Sequence, residues 1–210
     1  MHSELDFVPL TEDFIPQVVD IHSQAFAGQM NVRLGKKYLF YFFKWFINYP
    51  YPISNVAIEN GKYVRGYVIG APLGYEIALN RDLFWVTAGC IISRPSLWFM
   101  QNIRGVVIGR LKILVGLPQT KVQYPQLPSP VASLVGIGVA PHYQKWGIGN
   151  QLMQIFEEKS KLMQMKSMRL SVYPDNQGAR HLYEKCGWSA FSNVASSGKA
   201  MFYYKLITSS

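Results

Sequence analysis

The chain carries little negative charge. Its 210 residues include 12 Asp and Glu against 21 Lys and Arg, which gives a formal net charge of +9 at pH 7. This balance favours an anionic ligand, a nucleic acid or an anionic membrane surface as a partner. The sequence has no run of five or six basic residues and no zinc-finger spacing. We therefore expect neither a nucleic-acid partner nor a metal site.

Cysteine is also scarce. Cys90 and Cys186 lie far apart, and no CxxC motif occurs. Such usage is typical of a reduced, cytoplasmic protein, and a single disulfide between the two residues has no support in the sequence. The N-terminal residues lack the basic region and apolar run of a signal peptide.

Long apolar runs are missing as well. The most apolar stretches are 38–47 and 106–117, and lysine or arginine interrupts both of them. Neither approaches the roughly 20 residues that span a bilayer, so we expect a soluble or at most peripheral protein. Apolar residues still make up 49% of the chain, which is enough for the core of a single domain over 1–210.

The N-terminal part of the chain predicts two helices. Thr11 or Asp13 is a candidate N-cap for the first helix, and Pro16 fits its first turn. A second helix is predicted over 35–49, with aromatic residues too dense for one face. They are Tyr38, Phe40, Tyr41, Phe42, Phe43, Trp45 and Phe46. This density favours a helix buried on most sides, and the alternative is an aromatic wall for a sugar ring or an acyl chain.

A hairpin and an irregular segment follow. Strands at Ile53–Glu59 and 62–70 flank Asn60-Gly61, a favoured two-residue turn. The segment 71–130 breaks the alternation and predicts an insertion with a helix near 96–116. That basic, apolar helix is open to three interpretations: a packed core or lid helix, which we favour, a homodimer surface, or a helix in a membrane interface.

From residue 131 the pattern is regular. It predicts strands at 132–139, Ser167–Val172, 188–194 and 199–207 and helices at 147–165 and 176–186, with Gly187 as the second helix's stop. The apolar face of the first of these helices is predicted to contain Leu152, Ile155, Phe156, Leu162 and Met163.

A basic, glycine-rich turn joins the first of these strands to its helix. It reads Gln144-Lys145-Trp146-Gly147-Ile148-Gly149. The first amides of a helix have no partners within the helix, and the helix dipole favours an anion beside them. Neither GxxxxGK[ST] nor GxGxxG can be written here. The turn therefore predicts a phosphate-bearing cofactor outside the P-loop and dinucleotide-fingerprint classes.

The order of motifs is more specific than the turn alone. It runs strand, V-x-P-x-[YH]-Q-x-x-G-x-G, helix, strand, N-x-x-A-x-x-x-Y-x-x-x-G-[WF]. Over 56–70 and 131–207 the chain resembles the GCN5-related N-acetyltransferase family. The resemblance implies an α/β fold with a central, splayed mixed β-sheet flanked by helices. It also implies acetyl-CoA bound in the V between two parallel strands, with the cofactor-binding core at 131–207.

The family's cofactor-binding residues map onto this chain by motif position. The resemblance implies backbone contacts to pantetheine from Ile137, Gly138 and Val139, where Gly138 would let a ligand lie against the strand. The implied pyrophosphate loop consists of Gln144, Lys145, Trp146, Gly147, Ile148, Gly149 and Asn150, whose two glycines would let the backbone approach the phosphates. The Asn176 side chain would bond the pantetheine arm, and the small Ala179 leaves room for it.

Tyr183 is the catalytic residue that the resemblance implies. Its hydroxyl would protonate the departing thiolate, which is a poor leaving group without a proton. Asn176 and Tyr183 are seven residues apart, or two helical turns, so both can face one side. The alternatives are a helix N-cap for Asn176 and a half-buried core tyrosine for Tyr183.

The base that takes the amine's proton is not identified. Several relatives, including those that acetylate the N-terminus of a ribosomal protein, have a Glu five residues before the motif Asn, where this chain has Ser171. This difference counts against a ribosomal-protein acceptor. The remaining candidates are Glu76, Asp82, His142 and a water chain through Ser133 or Ser171.

We therefore expect an acetyl-CoA-dependent N-acetyltransferase that acts by direct attack of a primary amine. The expected acceptor is a small molecule such as an amino sugar, an amino acid or a polyamine. Protein N-termini or lysine side chains are the alternative, and a non-catalytic acyl-CoA-binding module is the alternative from another class. Cys186 lies one turn beyond Tyr183 but has no histidine placed to activate it, so we expect no covalent intermediate.

Overall fold

The computed structural model describes residues 5–94, 126–191 and 200–207, which form one seven-stranded mixed sheet. The strands are β1 (Leu5–Pro9), β2 (Ile53–Glu59), β3 (Tyr63–Pro72), β4 (Val131–Val139), β5 (Ser167–Val172), β6 (Ser189–Ala190) and β7 (Met201–Leu206). The helices of these ranges are α1 (Ile15–Ala25), α2 (Met30–Arg33), α3 (Gly35–Ile47), α4 (Tyr75–Asp82), α5 (Phe84–Ile92), α6 (Ile148–Leu162) and α7 (Gln177–Lys185). The strand order is β1-β2-β3-β4-β5-β7-β6, which confirms the predicted mixed α/β fold.

Two apolar clusters cover the two faces of the sheet. Helices α1 and α3 bury their apolar sides in one cluster, and α6 buries Leu152, Met153 and Phe156 in the other. The aromatic row of α3 is buried on most sides, as predicted, because of its seven aromatic side chains only Tyr41 is well exposed. The central strands are therefore covered on both faces, whereas both residues of the edge strand β6 are exposed.

The sheet splays between β4 and β5. These strands pair in parallel over three residue pairs only, from Val131 with Ser167 to Ser133 with Arg169. Strand β4 continues to Val139 along β3. A register shift leaves Val135 without a partner residue in β3. The resulting opening beside β4 confirms the predicted V between two parallel strands.

Several local predictions were wrong in detail. Helix α1 begins at Ile15 with Phe14 at the N-cap position and no side-chain cap, so neither Thr11 nor Asp13 caps it. The hairpin loop has three residues, because Glu59 pairs with Tyr63. On α6, Leu162 is 83% exposed. The helix ends at this residue, so the apolar face does not extend over the last turn as predicted.

The predicted insertion lies only partly within the described residues. Its first part contains α4 and α5. The predicted helix near 96–116 and the predicted turn at 196–198 lie outside the described ranges. Within those ranges, no helix is both long and apolar enough to cross a membrane. Cys90 and Cys186 are both free thiols.

Candidate active site

A cleft of about 590 Å³ opens beside the part of β4 that β5 no longer pairs with. Its walls come from the end of α1, from β4, from the loop before α6 and from α7. The predicted cofactor residues on its lining are Ile137, Gly138, Val139, Gln144, Lys145, Gly147, Gly149, Asn150, Asn176 and Ala179. The structure thus brings two separate sequence motifs together around one cavity. Trp146, Ile148 and Tyr183 are the predicted residues that it does not place on the lining.

The electrostatics of the cleft favour an anion. Its described lining includes Lys145, Lys185 and His181 but no Asp or Glu. Helix α6 starts at the cleft, and its first turn contains no acidic residue and no side-chain cap. The amides of that turn therefore remain available to a ligand, and the helix dipole adds a partial positive charge. Such a helix start suits the oxygens of a phosphate group, and the predicted phosphate contacts stay predictions.

The two glycines of the loop are needed for different reasons. Gly147 has φ +86, and a Cβ there would meet nothing within 4 Å, so its left-handed backbone is what requires glycine. Gly149 has ordinary dihedrals, but a Cβ would lie 3.2 Å from Leu182. It is needed for close packing of α6 against α7. The backbone of Lys145 is also left-handed, with φ +67. Left-handed residues within such a turn, here Lys145 and Gly147, direct successive backbone amides toward one side of the loop.

Side chains from the hairpin hold the loop. The Tyr143 hydroxyl donates to Glu59 Oε2 at 3.1 Å, and the Arg65 guanidinium lies 4.3 Å from the Tyr143 ring centroid. Arg65 also forms an ion pair with Glu59. Trp146 is 62% exposed and Ile148 is buried in the core. Their predicted contacts use backbone amides rather than side chains, and they stay predictions.

Gly138 lines the cleft, but not for the predicted reason. A Cβ on Gly138 would lie 2.7 Å from Cε1 of Tyr67, so the tyrosine ring already covers this face of the strand. The missing side chain makes room for Tyr67 rather than for a ligand. What Gly138 offers to the cleft is its backbone edge.

Asn176 is an N-cap and a cleft residue at once. Its Oδ1 accepts the Ala179 amide of α7 at 3.1 Å, which satisfies one of the unpaired amides at the helix start. The same side chain belongs to the cleft lining. The N-cap alternative is therefore confirmed, and the contact with pantetheine remains a prediction.

Tyr183 lies in the core at 5% exposure, with its ring near those of Trp188 and Tyr203. Burial raises the pKa of its hydroxyl, so the group stays protonated at neutral pH and can serve as a proton donor. Helix α7 is tied to β7, because the Tyr203 hydroxyl donates to Glu184 at 2.7 Å. The position of Tyr183 is thus well fixed, and its catalytic role remains a prediction.

The candidate bases are not on the cleft lining. Glu76 receives a hydrogen bond from Arg169 at 3.3 Å, and Arg169 Nε donates to Ser133 at 3.1 Å. Asp82 accepts from the Trp45 indole at 2.9 Å, and this bond lowers the pKa of its carboxyl group. His142 and Ser171 are exposed. None of the five candidates belongs to the described lining.

Sequence reasoning missed a polar pair beside the cleft. His22 Nδ1 lies 2.5 Å from the hydroxyl of Tyr67, and the Asn31 side-chain amide lies 2.9 Å from His22 Nε2. His22 is 4% exposed, and burial lowers the pKa of its ring to about 4. Its ring also packs on Phe26, which lines the cleft. The only sequence signal was a histidine at an apolar position of α1.

Cys186 has the properties of a packing residue. Its Sγ lies 3.7 Å from Asn150 Oδ1. Burial raises the pKa of the thiol, which disfavours the thiolate that a nucleophile requires.

The fold is shared with proteins of known structure. The chain matches SsHAT at 19% identity with a TM-score of 0.67, covering 97% of this chain and 98% of that one. The ribosomal-protein-S18-alanine N-acetyltransferase from Escherichia coli matches at 15% identity with a TM-score of 0.57, covering 99% and 96%. The yncA structure, a putative acetyltransferase from Salmonella typhimurium with its cofactor acetyl-CoA, matches at 11% identity with a TM-score of 0.57, covering 96% and 93%.

These identities establish a shared fold only, and no curated protein sequence matches the chain. The model of the acetyltransferase (GNAT) family, however, matches residues 16–188. This range includes α1 and α3 as well as the motifs at 131–188 that carry the resemblance. The chain belongs to the acetyltransferase (GNAT) family.

Proposed function

We propose that this protein transfers the acetyl group of acetyl-CoA to the primary amine of a small molecule, such as an amino sugar, an amino acid or a polyamine. The observation that carries the proposal is the cleft beside β4. It combines the uncapped start of α6 with Lys145 and Lys185, and its described lining has no carboxylate. A cofactor with a pyrophosphate at one end and a neutral arm suits this distribution of charge.

The residues of the cleft suit acetyl-CoA in two parts. The first turn of α6 and the two lysines would hold the phosphates. The backbone of Ile137–Val139 and the Asn176 side chain would hold the neutral pantetheine arm. Acetyl-CoA supplies an activated acetyl thioester at the end of that arm. The similar structure from Salmonella typhimurium has acetyl-CoA as its cofactor, which supports the same assignment here.

Tyr183 would act as the general acid. Its buried hydroxyl has a raised pKa, which keeps it protonated at neutral pH, and it makes no hydrogen bond to another described residue. In this role the tyrosine would give its proton to the sulfur as the carbon–sulfur bond breaks and a carbon–nitrogen bond forms. The nitrogen would release one proton to solvent, and solvent would return one to Tyr183. Protons and bonds therefore balance without a covalent enzyme intermediate.

The acceptor class rests on a sequence difference. Ser171 occupies the position at which relatives that acetylate a ribosomal protein have a Glu, and the described lining offers no carboxylate in its place. A protein N-terminus or a lysine side chain is the competing acceptor. The likeness to the ribosomal-protein-S18-alanine N-acetyltransferase concerns the fold and does not decide between the two.

The cellular setting belongs to the same proposal. Two free thiols support a reduced, cytoplasmic protein. For the predicted helix near 96–116, the favoured packed core or lid helix and its two alternatives, a homodimer surface and a membrane contact, are untested.

The test is a thiol-release assay with acetyl-CoA and a panel of amines. The panel contains amino sugars, amino acids, polyamines and peptides with free N-termini. We expect turnover with one small amine and a kcat about 10²-fold lower in Tyr183→Phe, as for a lost general acid. The KM for acetyl-CoA should change little. Tyr63→Phe is the matched control, because Tyr63 is 44% exposed at the start of β3 and should retain full activity.

Each other outcome contradicts a defined part of the proposal. Turnover with peptides alone would overturn the small-molecule acceptor and leave the acetyltransferase intact. Full activity of Tyr183→Phe would overturn the role of Tyr183. Failure of the wild-type protein to bind acetyl-CoA would overturn the assignment of the cleft.

A further inference from the structure

Helix α7 presents two basic side chains to the cleft. His181 and Lys185 both belong to its described lining, and both are exposed. They are four residues apart in one helix, so they are neighbours on the same helix face. Within residues 5–94, 126–191 and 200–207, no hydrogen bond or ion pair involves either side chain. The pair is therefore accessible to a ligand in the cleft.

The contacts between α7 and α6 place this pair beside the phosphate loop. A Cβ on Gly149 would lie 3.2 Å from Leu182, and Cys186 Sγ lies 3.7 Å from a side-chain oxygen in the first turn of α6. Leu182 and Cys186 thus form the ridge of α7 that packs on the start of α6. His181 and Lys185 each precede a residue of this ridge, so their own ridge runs next to it along the cleft.

The other flank of α7 faces the core. Tyr183 is buried and belongs to the apolar cluster of α6. It is two residues away from both His181 and Lys185, and residues two apart on a helix point roughly 160° away from each other. If Tyr183 serves the thioester, the basic pair lies on the flank that is left for the other, anionic end of the cofactor.

That end of coenzyme A carries two separate anionic groups. One is the pyrophosphate, and the other is a phosphate monoester on the 3′ oxygen of the ribose. The start of α6 offers backbone amides, which suit the pyrophosphate. A phosphate monoester carries a charge of about −1.5 to −2 at pH 7 and three acceptor oxygens. It therefore needs hydrogen-bond donors and positive charge beyond those of the helix start.

We propose that His181 and Lys185 form a subsite for the 3′-phosphate of coenzyme A, separate from the pyrophosphate site at the start of α6. The inference rests on the proposed function. Lys185 donates through its ammonium group and His181 through a ring N–H. Hydrogen bonds from a charged donor to a phosphate are stronger than those between neutral groups. The pair lets the protein distinguish coenzyme A from its 3′-dephospho form.

The charges around the pair leave its positive potential in place. Lys145 adds a second lysine to the lining, and the described lining has no Asp or Glu. The nearby Glu184 is directed to β7, where it accepts the Tyr203 hydroxyl at 2.7 Å. Glu157 of α6 forms an ion pair with Lys205 at 2.7 Å. Both carboxylates are thus bonded away from the cleft, and an anion there meets basic groups.

The test compares the Kd of CoA with that of 3′-dephospho-CoA by calorimetric titration. The two ligands differ by one phosphate group, so the ratio of their Kd values isolates the subsite. We expect the wild-type protein to bind CoA about tenfold more tightly, as for two contacts from exposed side chains. In the double variant His181→Gln, Lys185→Gln this preference should disappear, while the Kd of 3′-dephospho-CoA changes little. The melting temperature should stay as in the wild type, because both side chains are exposed.

Two further variants remove one positive charge elsewhere. Lys145→Gln acts on the phosphate loop and should weaken the binding of both ligands by the same factor. Lys161→Gln acts on the last turn of α6, at the opposite end from the cleft, and should leave both Kd values as in the wild type. Loss of the preference for CoA in Lys145→Gln, but not in the double variant of α7, would assign the 3′-phosphate to the loop and overturn the inference.

The outcomes separate this inference from the proposed function. If the wild-type protein binds CoA and 3′-dephospho-CoA with equal Kd values, the inference is overturned and the proposed function stands. Equal weakening of both ligands in the double variant would show a general attraction for anions rather than a subsite, and would also overturn it. If the wild-type protein binds neither ligand, the proposed function fails as well.

Discussion

The cleft and the polar network beside it are built from different kinds of groups. On the backbone side, β4, α6 and α7 offer the cleft backbone amides, glycines and the side chains of Lys145 and Lys185. The side-chain network of Asn31, His22 and Tyr67 joins α2, α1 and β3, and none of these three residues is on the described lining of the cleft. Backbone sites tolerate many side chains but depend on helix geometry and net charge. A buried side-chain network depends on every member, because an unpaired buried polar group is costly.

The largest expected effect is the acid sensitivity of the side-chain network. His22 has a pKa of about 4 in the folded protein and about 6.5 in an unfolded chain. Between these values the unfolded state holds more protons, so stability rises with pH across this window. We expect His22 to make folding less favourable by roughly 3 kcal/mol as pH falls from 6.5 to 4. Urea unfolding at several pH values measures this.

The control for this experiment is His22→Asn, which lacks the titrating ring. Its free energy of unfolding should lose this part of the pH dependence and keep the part due to carboxylates. If the wild-type protein and the variant show parallel pH profiles between 4 and 6.5, His22 is not buried in its neutral form, and the expected acid sensitivity is wrong.

A smaller effect should follow from crowding the contact between the two sides. A Cβ on Gly138 would lie 2.7 Å from the ring of Tyr67. Gly138→Ala should therefore destabilise the fold by about 1–3 kcal/mol, as overpacking does. It should also lower kcat, because Gly138 lines the cleft and must shift away from the Tyr67 ring. Thermal unfolding and the thiol-release assay measure the two effects.

Gly89→Ala is the matched control for Gly138→Ala. Gly89 lies in α5, where a Cβ would meet nothing within 4 Å. In a helix this change should stabilise the fold by about 0.4–1 kcal/mol. Destabilisation of similar size in both variants would show that the effect at Gly138 does not come from the contact with Tyr67.

The smallest effect is expected for the charges of the backbone side. Lys145→Gln and Lys185→Gln together should raise the Kd for CoA about tenfold, because each exposed charge contributes at most about 1 kcal/mol. The loss should shrink at high salt, where exposed charges are screened. Calorimetric titration at two ionic strengths tests this. The control is Lys36→Gln, which removes a lysine that forms an exposed ion pair with Asp20 of α1. This variant should bind CoA normally.

The same contrast explains what the sequence could predict. On the backbone side each signal is local: a strand, a glycine-rich turn, a helix and a capped second helix follow one another along 131–186. The structure confirms the elements and brings most of the motif residues to one cleft. The errors lie at the ends of helices. Leu162 falls in the exposed last turn of α6, and Phe14 rather than Thr11 or Asp13 precedes α1.

The side-chain network had no comparable signal. His22 and Tyr67 are 45 residues apart, and each fits an apolar pattern by itself. Only the packing of α1 on β3 brings them together. The reason for a glycine at position 138 depends on the same packing, since the atom that excludes a side chain belongs to Tyr67. Chemistry that depends on contacts between distant segments leaves no spacing to recognise.

A crystal structure with a non-hydrolysable acetyl-CoA analogue tests the central claim most directly. The account predicts phosphate density at the first turn of α6 and the acyl end in the opening between β4 and β5. The thioester end of the analogue should lie within hydrogen-bonding distance of the Tyr183 hydroxyl. An analogue bound away from this opening, or bound there with its acyl end out of reach of Tyr183, would contradict the account.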